Sequence, residues 1–155
     1  MTEGVVQSGI REIVVDEVFP YASEKIWATL IHPDLMARWL GMTPIGFEPV
    51  VGNRFTYQTR AAGEWDGTIR CEVIEVLPGR RLAYLWRGGH EDNIGYGSLL
   101  DTVVTLTLEP AELGTRLRLV HSGFDLPRNE TAYHNMRGGW TGVVTRIHRI
   151  TDERI

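Results

Sequence analysis

Residues 130–152 read ETAYHNMRGGWTGVVTRIHRITD, and the architecture turns on how this run is covered. Tyr133, Met136, Trp140, Val143, Val144, Ile147 and Ile150 recur at three- and four-residue steps, which on a helix of 3.6 residues per turn places them along one stripe. The spacing predicts a long amphipathic helix with Arg137, Thr141, Thr145, His148 and Arg149 turned toward water. An apolar stripe of that length needs a partner surface, which the rest of the chain must supply. Gly138, Gly139 and Gly142 are unusual inside it, since each glycine costs a helix roughly 1 kcal/mol against alanine. Close packing on a sheet, a kink, or room left for a ligand would each account for them.

Upstream of the helix the period changes to two. Ile13, Val15 and Phe19 alternate with Glu12, Val14, Asp16 and Val18 in a first strand over residues 10–19, ended by Pro20. Ser23 is positioned to cap a short helix bearing Ile26, Trp27, Leu30 and Ile31. Pro33 suits the first turn of a second one, with Leu35, Met36, Trp39 and Leu40 as its apolar face and Gly41 as its stop. A meander follows. Phe55 and Tyr57 share a face, Ala62-Gly63 turns the chain, and Trp65, Gly67, Ile69, Cys71 and Val73 alternate with Asp66, Thr68, Arg70 and Glu72. Pro78-Gly79 leads into Leu82, Tyr84 and Trp86; residues 88–97, with four glycines, read as an exposed, mobile loop. Two more strands, at residues 100–109 and 115–124, carry Val104, Leu106, Leu108, Leu117, Leu119 and His121 on one side, with Gly114 at their turn.

Composition narrows the class. The chain has 155 residues, 43% apolar and 23% charged, which suits one domain with its own core. A net charge of −4 with scattered arginines gives no footprint for nucleic acid. No apolar run approaches the ~20 residues of a membrane-spanning helix, and residues 1–9 read as a flexible polar tail rather than a secretory signal. Cys71 is the single cysteine, excluding an internal disulfide and favouring a reducing, cytoplasmic setting. His134 and His148 are too far apart for a metal-binding pair, and His90-Glu91-Asp92 reads as a solvated loop, so neither metal nor cofactor is implied. No serine-nucleophile elbow or phosphate-binding glycine loop is present in the sequence.

Strand, two short helices, strand meander and long helix together describe an α+β, helix-grip arrangement of about six or seven strands. The chain resembles the START-like superfamily known as SRPBCC, to which Bet v 1-like proteins also belong, and within it the bacterial relatives of the Hsp90 ATPase activator domain. The resemblance rests on PYASEKIWATL at residues 20–30, MARW at 36–39, GNRF at 52–55, VIEVLP at 73–78 followed by RLAYLW at 81–86, TVVTLTL at 102–108, GTRL at 114–117, HSGF at 121–124, and Gly139-Trp140. It covers nearly the whole chain and speaks to fold more than to function.

A sheet bent around a helix that does not fill it leaves a pocket with mostly apolar walls. Trp39, Phe55, Tyr57, Trp65, Tyr84, Trp86, Met136 and Trp140 are the candidate walls. His121, inward by strand alternation, is the candidate polar anchor or, if a carboxylate orients it, a base; the alternative is a core histidine bonded to backbone near Gly123. The expected partner is a small hydrophobic molecule, with a homodimer left open. The resemblance adds two further uses: a cyclase, aromatase or hydrolase employing the same cavity, and a chaperone-associated module.

Overall fold

The structure, a computed structural model, describes residues 8–153. Its elements are β1 (Gly9–Phe19), α1 (Ser23–Ile31), α2 (Pro33–Leu40), β2 (Arg54–Gln58), β3 (Thr68–Leu77), β4 (Arg81–Gly88), β5 (Leu100–Ala111), β6 (Gly114–Leu126) and α3 (Glu130–Glu153). The six strands form one antiparallel, curved sheet in the order β1-β6-β5-β4-β3-β2. Every neighbouring pair except β1-β6 is consecutive in sequence, so β2 to β6 are a plain meander and β1 closes onto the last strand. Gly9 pairs with Leu126 and so belongs to β1 rather than to the expected tail; residues 1–7, on which the rest of that expectation falls, lie outside the described residues.

Alternation sets the two faces. Leu100, Thr102, Val104, Leu106 and Leu108 of β5, and Thr115, Leu117, Leu119 and His121 of β6, are buried on the concave side. Two irregularities bend the sheet. The β1-β6 register shifts between Arg11 and Glu12 because Gly123 is an extra residue on β6, and the β3-β4 register shifts between Val73 and Glu75 at Ile74. A bulge increases local twist and turns the strand. Gly123 adopts φ +103°, a conformation that costs an L side chain but not glycine.

On the concave face Trp140, Val143, Val144, Ile147, Ile150 and Thr151 of α3 are buried, so the helix is gripped by its C-terminal half. The face assigned to water is mostly exposed, with one exception: His148 stacks on Phe19 at 4.6 Å between ring centroids and its Nδ1 lies 2.6 Å from Glu17 Oε2. Gly138 and Gly139 are exposed, and a Cβ at either would meet nothing within 4 Å. They therefore neither permit close packing nor make space inside the sheet.

α1 and α2 close one end of the grip. Alone, helices of nine and eight residues would be marginal; burial of Ile26, Leu30, Met36 and Trp39 holds them. Ser23 is the first helical residue rather than the cap, which is Ala22 without a side-chain bond. Pro33 does open α2, and Gly41, at φ +86°, ends it by donating to Ala37 O.

Candidate functional site

Between the N-terminal half of α3 and the far end of the β3-β4 hairpin lies a cavity of about 140 Å³. Its sheet-side walls are Ile69, Trp86 and Leu100; Ala132, Asn135 and Met136 of α3 line it too, as do Trp65, Met42 and Tyr96 from the connections. Besides the indoles of Trp65 and Trp86, the lining residues with polar side chains are Thr59, Tyr96, Ser98 and Asn135, and no charged side chain is among them. The space is smaller than the several hundred cubic ångströms common for small-molecule sites.

The mouth is built by loops. Trp65 donates from Nε1 to Thr68 O at 2.9 Å, and its ring meets Tyr96 at 5.9 Å between centroids. Tyr96 donates to Arg60 O at 2.7 Å, and the Arg60 guanidinium lies over the Tyr96 ring. Residues 88–97 are tied to their neighbours by hydrogen bonds. Asn93 donates to Ala62 O at 2.7 Å and accepts from Glu64 N at 3.2 Å, while His90 N donates to Gly97 O. The glycines serve this packing: a Cβ at Gly89 would stand 2.0 Å from Ser98 O. Asn129, just before α3, donates to Ser98 Oγ and Leu99 O and accepts from Asp125 N, fixing the helix start to the cavity rim.

Behind Trp86 runs an aromatic column. Trp86 lies 5.6 Å from Tyr57, 5.3 Å from His121 and 5.8 Å from Trp140, ring centre to ring centre. Phe55 meets both Tyr57 and Tyr84 edge-on. His121 is buried and fully engaged. The Trp140 indole N–H donates to its Nδ1 at 2.9 Å, so the ring proton sits on Nε2 and is donated to Thr102 Oγ1 at 2.7 Å; that hydroxyl in turn donates to Trp86 O at 2.8 Å. Burial lowers the His121 pKa to about 3, which keeps the ring neutral. Its partners are thus side chains on β5 and α3, not backbone at Gly123 and not a carboxylate. Burial also pushes the Cys71 thiol up, away from reactivity.

Of the nine residues singled out in the sequence, the structure gathers Trp65, Trp86 and Met136 around the cavity. Phe55, Tyr57, Tyr84, His121 and Trp140 form the buried column adjoining it. Trp39 is elsewhere, donating to Thr29 O at 2.9 Å and accepting Arg146 Nε on its own carbonyl, where it pins α2 to α1 and α3. Met42, Tyr96, Ala132, Asn135 and the Asn129 tether were missed. They belong to loops and to the first turns of α3, where no periodic pattern marks an inward side chain.

A curved antiparallel sheet holding a C-terminal helix over an apolar cavity defines a helix-grip protein. The chain belongs to the family described as Activator of Hsp90 ATPase homolog 1-like protein, whose model matches residues 20–152. It is similar to protein MLL2253 from Mesorhizobium loti, with 34% identity, 94% of this chain and 99% of that chain covered, and a TM-score of 0.79. A protein from Arthrobacter aurescens shares the fold at 19% identity and TM-score 0.72, covering 92% of this chain and 86% of its own. DynU16, from the dynemicin biosynthetic locus, does so at 20% identity and TM-score 0.67, over 91% of this chain and 47% of its own. No curated protein matches the chain. Among the described residues, no helix is long and apolar enough to cross a membrane.

Proposed function

We propose that this protein binds a small, uncharged, predominantly apolar molecule between α3 and the β3-β4 hairpin. The observation carrying the proposal is the cavity of about 140 Å³ walled by Trp65, Ile69, Trp86, Leu100 and Met136 with no charged lining residue. Apolar cavities of roughly 150 Å³ stay dry and take up benzene or xenon. The size therefore favours a ligand built on one ring, or a short branched chain, over a steroid or polyketide. With no carboxylate on His121, the same geometry supports binding better than acid-base chemistry.

Bromobenzene tests this, because its heavy atom quenches indole fluorescence on contact. Saturable quenching is expected, and a neutral monocyclic ligand at about a hundred times its Kd should stabilise the fold by about 2.7 kcal/mol, raising Tm by roughly 5–10 °C. Ala132→Phe, which fills the space, should abolish both responses. Quenching that rises linearly without saturation, or survives A132F, refutes the proposal.

A further inference from the structure

Trp86 is a wall of the cavity, and on its other side the sheet holds hydrogen-bonding groups that the protein does not pair. Tyr57 Oη, Tyr84 Oη and Trp86 Nε1 are buried with no partner in normal hydrogen-bond geometry. The two tyrosines are fully buried. Their hydroxyls approach closely enough for a weak mutual hydrogen bond, which occupies one O–H and leaves the other, with the Trp86 N–H, without an acceptor. Buried polar groups are nearly always paired, because an unpaired one keeps its full desolvation penalty. Two donors left over in neighbouring side chains therefore point to a guest.

The position suits a guest arriving through the cavity. Ile69, another wall, is the direct cross-strand partner of Tyr57, and the Trp86 ring lies 5.6 Å from the Tyr57 ring. A guest in the cavity reaches the phenols only if the Trp86 side chain turns aside from its contacts with Tyr57, His121 and Trp140. The chemistry has one sign. Burial raises the pKa of both phenols, so they keep their protons, and an indole N–H only donates. What the two remaining donors lack is an acceptor. No cation is among the lining residues to offset a buried negative charge, so the acceptor is neutral.

We propose that Tyr57, Tyr84 and Trp86 are the polar anchor of the ligand site, receiving a carbonyl oxygen, and that the ligand class is a small aryl ketone or aldehyde. This rests on the cavity-binding reading above. Met136 and Leu100 then hold the ring, and Trp86 changes from partition to clamp.

The test compares acetophenone with ethylbenzene, which differ in the carbonyl but hardly in shape, by calorimetric titration of the full chain. Acetophenone is the more water-loving of the two, so hydrophobicity alone would favour ethylbenzene. Wild type is expected to bind acetophenone roughly tenfold more tightly, and the Y57F/Y84F variant to lose that preference while keeping ethylbenzene affinity. Infrared spectra of carbonyl-labelled acetophenone bound to wild type supply a reading that needs no variant: the stretch should move to lower frequency than in hexane. Equal affinities in wild type, a preference that survives in Y57F/Y84F, or an unshifted stretch overturns the anchor and leaves the apolar cavity standing. If neither compound binds wild type, both proposals fall.

Discussion

Acid should weaken this fold through one residue by an amount that follows from its burial. His121 is buried, neutral and bonded at both ring nitrogens, with its pKa lowered to about 3. In the unfolded chain a histidine titrates near 6.5. Above that value neither state holds the proton, and the histidine leaves stability independent of pH. Below it the unfolded state takes up a proton that the folded state refuses, so stability falls as pH falls, until the folded ring titrates near 3. Each pH unit in that window is worth about 1.4 kcal/mol, so moving from pH 7 to pH 4.5 should cost about 2.7 kcal/mol from His121 alone. Carboxylates titrate over the same range, so the contribution is isolated by difference. Urea unfolding of wild type and His121→Gln at both pH values provides it, since glutamine can still donate to Thr102 but does not titrate. The variant is expected to be less stable at pH 7, because the Trp140 N–H loses its acceptor. Wild type should nonetheless lose about 2.7 kcal/mol more than the variant on acidification. Equal losses would refute the reasoning and mean that the folded ring accepts protons from solvent.

Two further outcomes test how the cavity rim and helix are built. Gly138→Ala with Gly139→Ala should stabilise the protein by about 1–2 kcal/mol in total, read as a higher urea midpoint with unchanged slope, because the added methyl groups meet nothing and improve helix propensity. A loss of stability would show that α3 needs both glycines for a bend. Gly89→Ala is expected to destabilise by more than about 2 kcal/mol in the same assay, since φ is +78° and the new Cβ would overlap Ser98 O; a neutral result would mean that the loop is free to move away.

The fold was legible because two periods divide the chain cleanly. Step-three and step-four spacing isolates α3, and alternation along β3, β5 and β6 assigns the inner face correctly down to His121. Alternation fails at a bulge, and nothing in the residues around Gly123 announces that it is an extra residue on β6. The site was less legible, for a physical reason. A buried aromatic looks the same in sequence whether it packs against protein or borders a void. Trp39 and Trp86 both occupy apolar faces, yet the first is locked to Thr29 and Arg146 while the second meets the cavity. Gly138 and Gly139 invited an interior explanation, but the helix phase turns them outward. In residues 88–97 the glycines signal a loop, but not that they let backbones approach closely around Asn93 and Ser98. His148 falls on the polar side of α3 and still finds Glu17 and Phe19, because the end of β1 comes across that face. Such long-range partners are fixed by topology and leave no local signal.

The claim on which the functional account rests is that the space beside Trp86 is apolar and open to a guest. Crystals of the full chain held under xenon pressure measure this directly, since xenon partitions into dry cavities of this size and shows as a strong anomalous peak. The account predicts one peak enclosed by Trp65, Trp86, Leu100 and Met136, absent in A132F. No density there under pressure, or a cluster of ordered waters in its place, would contradict it.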